Sequence, residues 1–167
     1  NAQLHVATPQ EAVAAADVVF LATPFQANAA ALSTVTEQLR GKILVDCTNP
    51  VGANLSHGLN NVQSGSEQVQ QLIPETAVVK AFSIYGFENF QDNAYPAYNT
   101  QPAMLYCGND AQAKQTVAGL ITQLGWQALD VGGLEQALHL EHMTLLWVRM
   151  VRVNKHSPHL VWAALER

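Results

Sequence analysis

Five short stretches of this sequence place small, amide-bearing or proline residues directly after apolar runs. They are Thr23-Pro24-Phe25, Thr48-Asn49-Pro50, Ala81-Phe82-Ser83, Cys107-Gly108 and Gly132-Gly133. Few acids or bases stand among them, so general acid–base chemistry is poorly supplied. A hydride transfer needs little more than such walls. The bound rings carry that reaction, and the protein holds the reacting atoms about 3–3.5 Å apart in a site that excludes water. Each residue also has a plainer use. Pro24 and Pro50 stop strands, Asn49 before Pro50 makes a turn, and Gly132-Gly133 makes a tight strand-to-helix connection. It is the repetition at consecutive strand ends that favours the functional reading.

Other constellations are weaker. His139 and His142 stand three apart with Glu141 between them, and His156 and His159 follow. Residues three apart share a helix face, but no HExxH or comparable ligand pattern occurs and Arg149 and Arg152 lie nearby, so surface or packing histidines are expected and no metal. Tyr85, Phe87, Phe90, Tyr95 and Tyr98 make either a stacking wall for a planar substrate or a small core of their own loop. Leu138, Leu145, Trp147, Val148 and Val151 with Trp162 exceed what one helix face needs. They are expected to pack on the sheet and to form a homodimer surface.

The elements that must position these residues alternate along the chain. Strands are expected at Leu4 to Ala7, Asp17 to Thr23, Lys42 to Thr48, Ala77 to Phe82, Ala103 to Cys107 and Trp126 to Val131. DVVFLAT and KILVDCT are apolar on both parities, the pattern of strands buried on both faces. Helices are expected at Glu11 to Ala16, Phe25 to Leu39, Ser64 to Leu72, Asn109 to Leu124, Leu134 to about Val153 and Ser157 to Glu166. Thr8 and Glu11 make a capping box, with Pro9 at the first helical position. Ser83 to Gln101 is aperiodic and reads as a long loop of the functional or mobile kind. Strands separated by helices imply an α/β, Rossmann-like, doubly wound and mainly parallel sheet with flanking and C-terminal helices. In such sheets ligands lie beyond the carboxyl ends of the strands.

At 167 residues one domain is expected. Residues 1–133 would form the nucleotide-binding part, and residues 134–167 C-terminal helices that pack on it or pair two copies. Eight Lys and Arg against 13 Asp and Glu give a net charge of −5. This lacks the basic face of a nucleic-acid binder or the basic cluster of a protein docked on anionic lipid. The apolar segment Leu134 to Val153 carries Glu135, Glu141, Arg149 and Arg152, which argues against a membrane span. Asn1 to Val6 carries no secretory signal. Cys47 and Cys107 read as reduced core thiols of a cytoplasmic protein.

Thr8 to Phe25 (TPQEAVAAADVVFLATPF), Gly41 to Gly52 (GKILVDCTNPVG), Val78 to Gly86 (VVKAFSIYG), the CGND turn after Met104 and LDVGGL from Leu129 to Leu134 resemble, in order and spacing, the NADP oxidoreductases that use a deazaflavin coenzyme. That family is similar in turn to the cytosolic domains of membrane metalloreductases that pass electrons from NADPH to a flavin. The resemblance covers nearly the whole chain. It implies an oxidoreductase that moves hydride between NADP(H) and a deazaflavin or flavin-type acceptor, with no obligatory side-chain acid or base. The alternative is a non-catalytic dinucleotide-binding or sensing module. By the same resemblance Thr23, Pro24 and Phe25 line the adenosine and pyrophosphate side. Asn49 and Pro50 face the nicotinamide ribose and ring, Ala81 and Phe82 flank the ring, and Gly132, Gly133 and Leu134 border the second substrate.

One departure stands out. The family opens with a strand, a G-x-G-x-x-G-type loop, a helix and a second strand, and no such loop occurs here; Gly58 to Gly65 lacks the spacing. The chain is therefore expected to be an N-terminally truncated piece, inactive without the missing segment. The strand Asp17 to Thr23 would then present a bare apolar edge.

Overall fold

The computed structural model describes residues 4–167. Chain order gives α1 (Pro9–Ala15), β1 (Val18–Leu21), α2 (Asn28–Ser33), α3 (Thr36–Leu39), β2 (Ile43–Asp46), α4 (Gly65–Leu72) and β3 (Ala77–Lys80), followed by α5 (Glu88–Gln91), β4 (Ala103–Gly108), α6 (Ala111–Gln123), β5 (Gln127–Asp130) and α7 (Ala137–Val148). The capping box forms as expected: Glu11 N–H donates to Thr8 Oγ1 at 3.3 Å and Thr8 N–H to Glu11 Oε2 at 3.0 Å.

The five strands lie in the order β1-β2-β3-β4-β5. β1, β2 and β3 are parallel, with Leu21, Asp46 and Lys80 in register at their carboxyl ends. The sheet is mainly parallel, as the alternation of elements predicts, but not throughout. β4 runs antiparallel to β3, with Lys80 opposite Cys107, and β5 follows β4. Returning a chain to the same end of a sheet takes a long crossover, usually a helix. The Ser83–Gln101 stretch holds only the one-turn α5, so the next strand starts where β3 stopped and runs back.

Alternation along β2 and β3 builds a core on each face. Leu44 and Val78, with Leu21, meet Val13, Leu32, Leu39, Val69 and Ile73 from the α1 to α4 side. Val45 and Val79, with Met104, meet Ala113, Val117 and Ile121 of α6. Helix α7 adds Leu140 and Trp147 to the same core as the sheet. β1 is an edge strand with Phe20 48% exposed.

Three expected elements differ. Leu4 to Ala7 is not a strand; Leu4 and Val6 are exposed and pair with nothing among the described residues. The single helix from Phe25 to Leu39 is broken into a 3-10 turn, α2 and α3, because the Ser33 and Thr34 hydroxyls bond back to the Ala30 and Ala31 carbonyls and offer the backbone an alternative to the helix. Ser157 to Glu166 is irregular where a helix was expected. Its main chain is taken up by tertiary partners: Trp162 O accepts from Ala103 N–H at 2.8 Å, Trp162 N–H donates to Tyr85 Oη at 3.0 Å, and Leu160 O accepts from Trp147 Nε1 at 2.7 Å. The helix expected from Leu134 to Val153 is a 3-10 turn, α7 and a closing π-helical turn over Arg149–Val153. No helix of the described residues is long and apolar enough to cross a membrane.

Candidate functional site at the carboxyl ends of three parallel strands

Register alone brings the first three sequence-selected tips together. The ladder continues one residue past the strands, with Cys47 N–H donating to Leu21 O and Ala81 N–H to Asp46 O. Side chains then tie the turns to one another. Thr23 Oγ1 donates to Asn28 Oδ1 at 2.7 Å, and Asn28 Nδ2 donates to Thr48 Oγ1 at 2.9 Å. Thr48 Oγ1 in turn donates to Asp46 Oδ1 at 2.7 Å. Asn49 Nδ2 donates to the Ser83 carbonyl at 3.0 Å, and its Oδ1 lies 3.0 Å from Thr144 Oγ1 on α7. Asn49 is thus a brace between two strand tips and the C-terminal helix. Pro24 is exposed, Thr23, Phe25, Asn49 and Phe82 are half-buried, and Pro50 and Ala81 are buried.

Two features single out the β3 tip. Phe82 takes a φ of +56°, a left-handed conformation that costs a bulky L-residue roughly 1–2 kcal/mol and that persists mostly where function requires it. Its ring is held 5.7 Å from Phe20 and 6.1 Å from Phe90. Next to it, the buried Ser83 hydroxyl has no hydrogen-bond partner among the described residues. A buried orphan hydroxyl is uncommon; this one lies beside the Asn49 turn. At the β1 tip the Phe25 ring lies on Gly65, the first residue of α4, so closely that a Cβ there would stand 2.6 Å from Phe25 Cε2.

Beneath these tips lies a group of charges that the sequence reading passed over. Asp46, Lys80, Glu141 and His57 are all buried, at 0%, 0%, 1% and 5% exposure. Lys80 Nζ lies 3.4 Å from Asp46 Oδ2 and 3.3 Å from Glu141 Oε1 and also donates to the Thr48 carbonyl. Glu141 Oε1 accepts from Gly65 N–H at 2.8 Å and Oε2 meets His57 Nε2 at 2.7 Å. Asp46 Oδ2 accepts from Ser66 Oγ at 2.5 Å. The signal was present in principle: ILVDC and AVVKAF each carry one charge inside an otherwise apolar run. Burying a charge is costly unless it is paired and hydrogen-bonded.

The remaining sequence-selected residues fall elsewhere. Because β4 and β5 run the other way, Gly132 is level with Gly108 and so with Val79. The chain then descends toward the amino ends of β1 to β3. Gly132, Gly133 and Leu134 therefore do not join the shelf, and Leu134 is a core residue against Leu44 and Val78. Cys107, the last residue but one of β4, is buried in the core. Burial pushes both thiols, Cys47 and Cys107, up to about 12, which disfavours the thiolate form at neutral pH.

The histidines and aromatics also separate. Glu141 turns inward, whereas His139 and His142 are exposed and His142 Nε2 meets Asn61 Oδ1 at 2.7 Å. Tyr85 is buried, stacks 5.1 Å from Trp126 and donates to the Ala103 carbonyl. Tyr95 donates to Asn89. Phe87, Phe90 and Tyr98 are exposed and Tyr95 is half-buried, so of the five aromatics Tyr85 alone is core.

The family model described as NADP oxidoreductase, coenzyme F420-dependent, matches residues 1–50. A crystal structure from Arthrobacter sp. FB24, described as a candidate F420-dependent NADP reductase, superposes with a TM-score of 0.80 at 32% identity, over 89% of this chain and 69% of that one. The F420-dependent NADP reductase of Methanocaldococcus jannaschii is 30% identical over 145 residues, 83% of this chain and 64% of its own length. The metalloreductase STEAP3 of Rattus norvegicus is 34% identical over 141 residues, 84% of this chain but 28% of its own length. The chain thus spans less than two thirds of these two relatives.

Proposed function

The chain belongs to the coenzyme F420-dependent NADP oxidoreductase family, and from that premise we propose that it holds the nicotinamide end of NADP(H) for hydride transfer to a deazaflavin or flavin-type acceptor. The observation that carries the reading is the shelf made by the in-register tips of β1, β2 and β3. Thr23, Pro24 and Phe25 form one side, Asn49 and Pro50 the middle, and Ala81 and Phe82 the other.

The residues present fit such a group. The walls are uncharged, and the Phe82 and Phe20 rings, inclined 46° to each other, give an apolar flank. When bound, the dinucleotide supplies the hydride. The protein's own residues bind, orient and keep water out. Asn49, clamped by Ser83 and Thr144, fixes the height of the middle turn. Phe82, held in a conformation it would not adopt freely, fixes the flank. Such preorganisation is how a site without an acid or base contributes to rate. Gly132 to Leu134 have no part in this reading. The second substrate is assigned by chemical class only.

The test is NADPH oxidation by the full-length protein with coenzyme F420 or a flavin added. Turnover with one of them is expected. Tight NADPH binding without turnover on any such acceptor would instead make the protein a dinucleotide-binding module.

A further inference from the structure

The buried group under the shelf does not balance in charge. Every partner of Glu141 is a donor. Gly65 N–H and Lys80 Nζ face Oε1, and His57 Nε2 faces Oε2. His57 Nδ1 accepts from Leu59 N–H and Asn61 N–H, both at 3.3 Å. The ring is therefore neutral, with its proton on Nε2 pointing at Glu141, an assignment made from its partners. Asp46 likewise meets only donors: Thr48 N–H and Oγ1 on Oδ1, Ser66 Oγ and Lys80 Nζ on Oδ2. We assign both acids as carboxylates from these partners, with Lys80 the one cation among them, which leaves one negative charge over.

The leftover charge is shielded from water, since Asp46, Lys80 and Glu141 are at most 1% exposed. The N-terminus of α4, which presents Gly65 N–H to Glu141, offsets about half a unit. What remains lies directly beneath the shelf, because Asp46 and Lys80 are the last residues of β2 and β3 and Asn49 and Phe82 follow within three positions.

We propose that this buried negative charge makes the site prefer the oxidised, cationic nicotinamide ring over the neutral reduced ring, an inference that rests on the dinucleotide reading above. The two redox forms carry the same phosphates and differ in ring charge, so the cluster discriminates between them where a purely steric shelf would not. Glu141, Asp46 and Lys80 act through the field they set up and through the turns they hold, without touching the ring.

The experiment measures dissociation constants of NADP+ and of NADPH for the full-length protein by anaerobic calorimetry, with no acceptor present. The half unit of charge left over, about 10 Å from the ring in surroundings of effective dielectric constant near 20, predicts NADP+ bound roughly fourfold more tightly than NADPH. Glu141→Gln and Asp46→Asn each remove the surplus charge and bring the ratio toward one. Glu37→Gln, on the exposed surface, leaves it unchanged. Circular dichroism separates a folded variant from an unfolded one, and the wild-type ratio needs no variant. NADPH bound as tightly as NADP+ by the wild type, or a ratio that survives in both folded variants, overturns the proposal. If neither nucleotide binds, the dinucleotide reading itself fails.

Discussion

Lys80→Met removes the single cation from the buried group. In the native protein the ammonium lies within 3.4 Å of Asp46 and 3.3 Å of Glu141 and donates to the Thr48 carbonyl, with no exposure at all. Methionine fills much the same volume, so packing changes little while two carboxylates lose their counter-charge. Breaking a buried pair in this way costs about 3–5 kcal/mol. A domain of this size shifts its melting temperature by about 2–4 °C per kcal/mol, so the variant is expected to melt roughly 6–20 °C lower. It stays within the range a folded domain can lose and remain folded. The assay is thermal unfolding followed by circular dichroism at pH 7, repeated in Glu141→Leu and in the double variant. Glu141→Leu on its own strands the His57 and Gly65 donors. Once Lys80 is gone, however, removing Glu141 also relieves a carboxylate left without its cation. The double variant should therefore be less destabilised than the sum of the singles, by on the order of 2 kcal/mol. A Lys80→Met protein that melts within about 2 °C of wild type, or strict additivity, would refute the account of this group as a closed, mutually dependent set of charges.

Phe82→Ala keeps the left-handed strain and loses the rings of Phe20 and Phe90, whereas Phe82→Gly loses the same contacts and relieves the strain; urea unfolding should find glycine the more stable of the two by about 1–2 kcal/mol. Both should weaken dinucleotide binding. Burial raises both thiols to about 12, above their unfolded value, so the folded state holds protons that the unfolded state releases. Stability is then full below about pH 8.5 and falls as pH rises toward 12, by about 1.4 kcal/mol per pH unit for each thiol. Cys47→Ala and Cys107→Ala should flatten that slope, and neither thiol should react with a disulfide reagent at pH 8 until denaturant is added. Gly65→Ala puts a methyl 2.6 Å from the Phe25 ring, and nucleotide affinity should fall several-fold as that ring moves.

Much of the fold was legible because its signals are local. The Thr8–Glu11 capping box, the doubly apolar KILVDCT and the Asp110-capped helix α6 each specify themselves within a few residues. The three strand tips that the register brings together followed from the same periodicity. What escaped depends on distant partners. The direction of β4 is decided by the absence of a crossover helix in a loop whose composition gives no period. The irregular tail after Ser157 has a helical composition, and its outcome is set by Ala103, Tyr85 and Trp147, each 13 or more residues away from its partner. Gly132 to Leu134 lie away from the three tips for the same reason, since the expectation took all five strands to point one way. The Asp46–Lys80–Glu141–His57 group joins β2, β3, α7 and the loop before α4, and only Asp46 and Lys80 left a trace in the sequence, as charges inside apolar strands.

The central claim is that a nicotinamide lies on the tips of β1, β2 and β3. Titration of the full-length, isotope-labelled protein with NADP+, followed by backbone amide resonances, tests it directly. The largest shifts should fall on Thr23, Phe25, Asn49, Ala81, Phe82 and Ser83. Shifts confined to Gly132, Gly133 and Leu134 at the other end of the sheet, with the first group unmoved, would contradict it.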